Sequence, residues 1–361
     1  MNSFEKKLWL AKSKLLFLLT PKENRVRLEI AVDGRQLTYL LVSLQALGYA
    51  LHVVESPMLF RELLCLKTST PIPFIFGGAE RACDLVISDR YEVVERATKQ
   101  GVRAILLDSD FFSEGRTESR MPYFMHPSVY HAGLHRLPTS PIEKERPVRI
   151  GFFGTRDATF YTENFHFPMM NREQILSYFL GEFGEKILEG CPPVSSWERQ
   201  NIVTVVDERG GDRDRQAKTF LPQKEYLNAL RACDFFLSPP GVSMPLSHNL
   251  AEGMAAGSIP ILNSWEHFHP SLTHRVNCLT FTDEAGLKRV VEEALAMDAE
   301  KIRSMRRAVR EYYDEYLAPA KWLGRFLSKH SQGGATLLVN AEEVSVVIDK
   351  ESMLHNDLKS S

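Results

Sequence analysis

The sequence predicts an α/β protein made of two Rossmann-like domains, each with a parallel sheet, that face a central cleft. Its length of 361 residues suits two domains of about 150 residues each. Strand-like and helix-like segments alternate along most of the chain, as in open parallel sheets. Prolines interrupt this alternation before residue 147. We therefore expect an N-terminal domain over residues 1–140, a C-terminal domain with a closing helix over 141–330, and a tail over 331–361.

The first half opens with a βαβ unit. Residues 27–32 form a β-branched-rich strand, residues 36–47 have helical periodicity, and Gly48 ends that helix before a second strand at 50–55. The helical crossover of a βαβ unit makes its two strands parallel, and such crossovers are right-handed. The alternation then continues with a strand at 84–88, a helix at 91–99 and a strand at 103–107.

The second half repeats the pattern. Its predicted strands are residues 148–153, 202–206, 235–238 and 259–262, and its predicted helices are 173–180, 224–232 and 248–256. A long helical pattern over 299–329 contains Pro319, which should kink or split it. Apolar residues after Gly333 suggest a hairpin in the tail.

Charge and cysteine content exclude some classes of protein. The net charge of −2 argues against a nucleic-acid partner, because such proteins usually carry a strong basic surface. The five cysteines are odd in number and form no CxxC pair, which disfavours a disulfide framework or a zinc site. A reducing, cytoplasmic location fits better.

Residues 1–20 combine lysines with apolar residues. The longest apolar run, residues 15–19, is too short to span a bilayer. The segment fits a basic helix or strand packed on the first domain. It also fits a peripheral membrane contact, because a basic amphipathic segment can lie on anionic lipid.

The most informative stretch runs from Asp234 to Leu262. A buried strand is followed by a Pro-Pro-Gly turn, which lets a ligand approach the backbone closely. The next helix begins near Ser247, and helix N-termini bind phosphate. Glu252 lies one turn inside that helix, in a position to accept hydrogen bonds from a ribose. The same pattern also fits an ordinary βαβ unit with Glu252 on the surface.

These residues resemble the donor-binding half of the GT-B glycosyltransferases, and most closely the exostosin-like group. The resemblance rests on Phe235, Pro240-Gly241, Glu252, Gly257 and Ile259-Pro260, and Gly253 stands where that group usually has alanine. It implies a glycosyltransferase in which the domain over residues 1–140 is the acceptor side and the domain over 141–330 binds the nucleotide-sugar. The glutamate would contact the ribose, and the turn and the helix start would contact the diphosphate. The residues so implied are Pro240, Gly241, Ser243, Ser247, His248, Asn249 and Glu252.

Three further positions are candidate donor contacts. Gly154-Thr155-Arg156 is expected to form the loop after the first strand of the second half, with Arg156 neutralising the diphosphate. Lys218 lies where related enzymes place a basic residue near the leaving diphosphate. Glu266 follows the last strand of the motif, where a carboxylate can face the donor sugar. An ordinary turn or a solvated loop fits the first two positions as well.

An inverting enzyme of this kind needs a base to deprotonate the acceptor hydroxyl. Asp33 is the first candidate, because it ends the first strand, and Asp108 and Asp110 are the others. A helix N-cap is the alternative role for Asp33. The resemblance implies no essential metal and no cofactor, with the nucleotide-sugar as a substrate.

The expected donor is a UDP-sugar, and the expected acceptor a saccharide or a lipid-linked glycan. Three other functions stay open: a CMP-sugar transferase of the sialyl or Kdo type, a sugar-nucleotide epimerase, and a non-catalytic sugar-nucleotide-binding subunit. His126 and His269 each precede a proline, as does a phosphate-contacting histidine in some CMP-sugar transferases.

Overall fold

The chain forms two compact units. The computed structural model describes residues 3–31, 34–54, 56–67, 69, 71–77, 81–112, 119–136, 141–189, 200–208, 221–242 and 244–340. The first unit comprises Met1–Met121, Pro127–Arg136 and Ala318–Ser361. The second unit comprises Pro122–His126 and Leu137–Leu317.

The described strands of the first unit are β1 (Arg25–Glu29), β2 (Ala50–Val53), β3 (Phe74–Phe76), β4 (Leu85–Ser88), β5 (Arg103–Asp108) and β12 (Gly334–Leu338). They form a six-stranded parallel sheet of order β12-β5-β4-β1-β2-β3. Its helices are Ser3–Leu19, Gln36–Ala46, Pro57–Leu66, Tyr91–Lys99, Pro127–His131 and Pro319–Lys329.

The described strands of the second unit are β6 (Val148–Arg156), β7 (Ile187–Glu189), β8 (Gln200–Glu208), β9 (Cys233–Leu237), β10 (Ile259–Leu262) and β11 (Leu279–Thr280). They form another six-stranded parallel sheet, of order β11-β10-β9-β6-β8-β7. Its helices are Ala158–Glu163, Arg172–Phe183, Gln223–Ala232, His248–Ala255, Glu284–Ala296 and Ala299–Tyr312.

Central strands of both sheets are buried along their whole length. Every residue of β2 and β4 is buried in the first unit, and every residue of β9 and β10 in the second. Continuous burial is typical of parallel strands, because crossover helices cover both faces of the sheet. The predicted fold class, two α/β halves with parallel sheets, is therefore confirmed. The central cleft stays a prediction.

The C-terminal part of the chain differs from expectation. Pro319 does split the long helix, since one helix ends at Tyr312 and another begins at Pro319. The second of these belongs to the first unit, where the Trp322 indole N–H donates to Ser43 Oγ at 3.0 Å.

The described part of the tail does not start a hairpin. It forms β12, which pairs in parallel with β5 from Gly334↔Ala104 to Leu338↔Asp108. The boundary at residue 330 and the separate tail are therefore wrong, because backbone hydrogen bonds hold residues 334–338 in the first sheet. The second arm of the expected hairpin lies outside the described residues.

The N-terminal helix Ser3–Leu19 packs on the first sheet. Phe17 is fully buried beside Ala50 and Ile75, and the ring of Trp9 lies 5.0 Å from that of Phe74. This agrees with the interpretation of residues 1–20 as a packed basic helix. Among the described residues, no helix has the length and apolar character needed to cross a membrane.

Candidate functional site

The candidate site lies in the second unit, where β9 leads through a turn into the helix His248–Ala255 and back to β10. The two strands are parallel neighbours, with Ile259 opposite Phe235. Two glycines permit the close packing. A Cβ on Gly241 would lie 2.8 Å from the carbonyl oxygen of Leu246, and one on Gly253 would lie 2.4 Å from the ring of Phe236. The sequence thus brings the turn and the helix directly onto the carboxyl end of β9.

No side chain in the described part of the chain caps the start of this helix. Ser247 is the N-cap residue, yet its side chain makes no cap hydrogen bond. Its Oγ instead donates to the carbonyl oxygen of Pro239 at 3.2 Å, and Ser238 Oγ donates to Asn249 Oδ1 at 2.9 Å. An uncapped helix N-terminus carries a partial positive charge and suits an anionic ligand.

Two buried polar atoms that no described residue bonds follow β10. Asn263 and Ser264 are 6% and 1% exposed, and Asn263 Nδ2 donates to the carbonyl oxygen of Met170 at 2.8 Å. Asn263 Oδ1 and Ser264 Oγ have no hydrogen-bond partner among the described residues. Buried polar atoms are nearly always satisfied in folded proteins, by water or a ligand where protein groups are missing. These two atoms therefore point to a bound polar group at this edge of the sheet.

Glu252 is buried inside the helix rather than exposed on the surface. It is 3% exposed, so the alternative of a surface glutamate is wrong. Its Oε1 accepts a hydrogen bond from the main-chain N–H of His126 at 3.0 Å, and its carboxylate also bonds to the Tyr226 hydroxyl. Burial raises the pKa of Glu252 to about 7, against the lowering effect of these two hydrogen bonds.

The segment 122–126, which the sequence placed in a proline-rich linker, covers this helix. His248 Nδ1 lies 2.8 Å from the carbonyl oxygen of Phe124 and is positioned to donate to it. The ring of Tyr123 stacks on that of His248 with centroids 5.1 Å apart, and the ring of His126 meets it edge-on at 5.3 Å. Aromatic and hydrogen-bond contacts thus fix His248, and they bring the histidine of one His-Pro pair to the candidate site.

Arg172 is the site residue that sequence reasoning missed. It is 8% exposed, and its guanidinium donates to the carbonyl oxygens of Pro240 at 3.2 Å and Pro239 at 3.4 Å. It also donates to the Tyr161 hydroxyl at 2.9 Å and lies over that ring. The arginine therefore places a buried positive charge behind the Pro-Pro-Gly turn. Its position just before the helix predicted over residues 173–180 gave no local sign of this role.

The loop expected at Gly154-Thr155-Arg156 is a strand. These residues continue β6 and pair with Val206, Asp207 and Glu208 of β8. The prediction of a loop is wrong because β8 is long enough to hydrogen-bond β6 up to Arg156. The Arg156 guanidinium forms an ion pair with Glu173, at 2.7 Å from Nη2 to Oε1. Glu173 therefore already neutralises the charge expected to meet a diphosphate.

The remaining candidates are dispersed. Glu266 lies exposed in the short helical turn Trp265–His267 that follows β10. Asp108 ends β5 in the first unit, where its Oδ1 accepts from the main-chain N–H of Asp110 at 3.0 Å. Asp33, Lys218 and Ser243 lie outside the described residues. The roles assigned to all of these residues stay predictions.

One possible metal-ligand cluster occurs among the described residues. Glu62, Cys65 and His131, all in the first unit, bring one ligand atom each within 4.8 Å of one another. The carboxylate of Glu62 already accepts from Thr38 Oγ1 at 2.6 Å and lies 2.9 Å from His131 Nε2. That catalysis needs no metal stays a prediction.

No protein-family model matches the sequence, and no curated protein matches it. Solved structures give weak matches. HepE (Alr3699) of Anabaena in complex with UDP is 12% identical, with a TM-score of 0.48 over 85% of this chain and 100% of that one. A glycosyltransferase from Rickettsia africae is 9% identical, with a TM-score of 0.44 over 86% and 98% of the two chains.

The N-terminal domain of the trehalose-6-phosphate phosphatase of Candida albicans is 11% identical, with a TM-score of 0.45 over 86% of this chain and 97% of that one. All three TM-scores are below 0.5, so these likenesses do not decide the family or the activity of the chain.

Proposed function

We propose that this protein is a glycosyltransferase that moves a sugar from a nucleotide-sugar donor to a saccharide or glycoconjugate acceptor. One arrangement carries the proposal. The start of the helix His248–Ala255, which no described side chain caps, follows β9. Two polar atoms without a partner among the described residues, Asn263 Oδ1 and Ser264 Oγ, follow the neighbouring strand β10. Ligands of open α/β sheets bind outside the carboxyl ends of the strands, where these groups lie.

The diphosphate of the donor is proposed to bind at the start of the helix. The helix dipole favours a negative charge there, and the Pro239–Gly241 turn brings backbone close to the ligand. Arg172, held behind that turn by the Pro239 and Pro240 carbonyls, adds a positive charge to the same region. Together they would stabilise the diphosphate as it leaves.

The ribose is proposed to hydrogen-bond to Glu252. A carboxylate can accept about four hydrogen bonds, and the described residues supply two, from the His126 main chain and the Tyr226 hydroxyl. Because Glu252 is only 3% exposed, this contact requires the segment 122–126 to shift when the donor binds. Binding loops commonly rearrange in this way.

The transfer itself is proposed to proceed with inversion. An oxygen of the acceptor attacks the anomeric carbon, the bond from that carbon to the diphosphate breaks, and a base takes the acceptor proton. The candidate bases Asp33, Asp108 and Asp110 all belong to the first unit. Replacing each by asparagine tests its role, because loss of the true base lowers kcat and leaves donor affinity unchanged.

The deciding experiment is a thermal-shift and turnover panel with UDP-, GDP-, dTDP- and CMP-sugars. A UDP-sugar is the favoured donor, following the resemblance to the exostosin-like group. We expect one donor class to raise Tm and to be hydrolysed or transferred, with both effects reduced in Glu252→Ala. Glu292→Ala, an exposed glutamate of the same unit, is the matched control. Absence of any nucleotide binding would overturn the proposal.

One observation favours a second candidate, a CMP-sugar transferase. His126 precedes a proline, as in some sialyl- and Kdo-type enzymes, and its ring lies 5.3 Å from that of His248. The same panel separates the two, since this candidate requires a response to CMP-sugars that His126→Ala removes. Binding of a donor without turnover would instead indicate a sugar-nucleotide-binding subunit, and interconversion of donor sugars an epimerase.

A further inference from the structure

The N-terminal helix Ser3–Leu19 has two apolar faces, and the described residues cover only one of them. The covered face includes Trp9, Ser13 and Phe17, spaced four residues apart, with Ser13 and Phe17 6% and 0% exposed. It packs against Phe74 and Ile75 of β3. This face attaches the helix to the first unit, and Arg25 adds a hydrogen bond from its guanidinium to the carbonyl oxygen of Leu18 at 3.1 Å.

The opposite side of the same helix carries a row of exposed leucines, here called the leucine face: Leu8, Leu15, Leu18 and Leu19. Their exposed fractions are 61%, 58%, 45% and 71%. Leu15 lies seven residues after Leu8, and Leu18 and Leu19 lie three and four residues after Leu15, which places all four along one side of a helix. Scattered exposed leucines are ordinary on a protein surface, whereas a contiguous row on one helix marks an interaction surface.

Lysines border the leucine face. At 100° per residue, Lys7 and Lys14 lie on one side of the row and Lys12 on the other, and all three side chains are exposed. The helix contains a single acidic residue, Glu5. A row of leucines between flanking lysines is the pattern of a helix that lies in the plane of an anionic membrane surface.

We propose that the leucine face binds the interface of an anionic lipid bilayer, with the helix parallel to the membrane plane. The leucines enter the boundary between headgroups and acyl chains, and Lys7, Lys12 and Lys14 remain at the depth of the phosphates. Two copies of the helix would bring like charges together if they paired face to face. Charge complementarity therefore selects lipid over a second copy of this chain.

This inference does not rest on the proposed transfer reaction, because lipid binding is measured without donor or acceptor. It also adds to that proposal, since an acceptor carried on a lipid would lie in the same surface. Either can fail alone: a protein that binds nucleotide and ignores vesicles contradicts only the membrane contact, and one that binds vesicles and no nucleotide contradicts only the enzyme.

The test is co-sedimentation of the full chain with vesicles of phosphatidylcholine alone or mixed with phosphatidylglycerol. We expect binding to the mixed vesicles, weakened by added salt. The double variant Leu8→Glu, Leu15→Glu should lower the partition coefficient by roughly tenfold or more, because it places charges in the inserted face. Val276→Glu, at a 49% exposed position of the second unit, is the matched control and should bind as the wild type does.

A second set of variants tests the charges. Lys7→Gln, Lys12→Gln and Lys14→Gln together should weaken binding to the mixed vesicles and flatten its salt dependence. Lys301→Gln and Lys321→Gln, at exposed positions of other helices, should not. We expect every variant to fold, because none of the changed side chains is buried. Thermal melts of each variant check this.

The proposal fails if the wild type ignores anionic vesicles, or if the double glutamate variant binds them as well as the wild type does. Light scattering after gel filtration gives the competing outcome. A wild-type dimer that the same variant converts to a monomer, without lipid binding, would assign the leucine face to a second copy of this chain.

Discussion

The main-chain N–H of His126 donates a hydrogen bond to Oε1 of Glu252 over 3.0 Å, between residues 126 positions apart in the sequence. The bond ties the segment before Pro127 to the middle of the helix His248–Ala255. Glu252 is also the residue proposed to hold the ribose, and burial raises its pKa to about 7. Protonation of this one carboxyl therefore links the stability of the second unit to the proposed binding of a donor.

We expect Glu252→Gln to change how stability depends on pH. Burial raises the pKa of the folded state above the ordinary value of 4.5, so the folded protein favours the neutral carboxyl. The stability that the neutral Glu252 carboxyl gives the folded protein is fully present below pH 4.5 and is lost as the pH rises through about 7. Relative to Glu252→Gln, the wild type should lose about 2–3 kcal/mol of unfolding free energy between about pH 5 and pH 8.

Denaturant unfolding of both proteins at several pH values measures this difference. Glu292→Gln, an exposed carboxyl of the same unit, is the control and should follow the wild-type profile. A wild type and Glu252→Gln variant with parallel profiles would show that the carboxyl is ionised throughout, against the burial described above.

Donor affinity should rise with pH if Glu252 accepts hydrogen bonds from the ribose, because only the ionised carboxylate is a pure acceptor. With a pKa of about 7, the ionised fraction grows between about pH 6 and pH 8, and the affinity for UDP-glucose should grow roughly tenfold. Calorimetric titration measures it. UDP-glucose is a better probe than UDP, whose terminal phosphate titrates in the same range. Glu252→Gln should bind more weakly and without this trend; a flat wild-type profile would remove Glu252 from the ribose site.

Gly253→Ala should destabilise the second unit. A Cβ at this position would lie 2.4 Å from the ring of Phe236, which is only 1% exposed and has no room to move. Overpacking of this kind costs about 1–3 kcal/mol. Gly181→Ala is the matched control, because its Cβ would meet nothing within 4 Å in the exposed part of another helix. At Gly181 the better helix propensity of alanine should raise the free energy of unfolding by roughly 0.5–1 kcal/mol. Equal effects of the two changes on Tm would contradict this packing.

Arg172→Ala should cost much more stability than Arg156→Ala, although both arginines lie near the end of β6. The first removes buried hydrogen bonds to two turn carbonyls, and among the described side chains only Ser247 Oγ still donates to one of them, that of Pro239; the cost is about 2–4 kcal/mol. The second breaks a partly exposed ion pair with Glu173, worth less than about 1 kcal/mol. Chemical unfolding ranks the two variants. If Arg172 also supports the proposed diphosphate site, Arg172→Lys should fold yet bind UDP more weakly.

Most elements of the fold could be predicted from local pattern. The helix Tyr91–Lys99 and the strand Ile259–Leu262 have the predicted bounds, and the other predicted strands differ by a few residues at their ends. The periodicity of these segments and the turns that flank them predict the elements. The pairing of β12 could not be predicted in this way, because its partner β5 lies more than two hundred residues earlier and nothing near Gly334 specifies that pairing.

The candidate site was predictable in position and only partly in its contacts. Gly241, Ser247 and Glu252 share one local motif, and the structure brings them together at the carboxyl end of β9. The burial of Glu252 depends on the segment 122–126, which reads as a proline-rich connection and shows no periodicity. The extension of β6 through Arg156 likewise depends on the length of β8 rather than on its own residues.

The order of residues along the chain also sets the order in which the two sheets are completed during synthesis. All the residues of the second unit are translated before Ala318, while the first unit still awaits its last helix and β12. At usual rates of 5–20 residues per second, the stretch that codes the second unit occupies the ribosome for roughly 10–40 s. During that interval β5 is an edge strand whose backbone donors and acceptors on one side are unpaired. Unpaired edge strands of this kind are sites where nascent chains aggregate. A chaperone that shields β5 until β12 emerges would therefore raise the yield of this protein more than one that acts on its second unit.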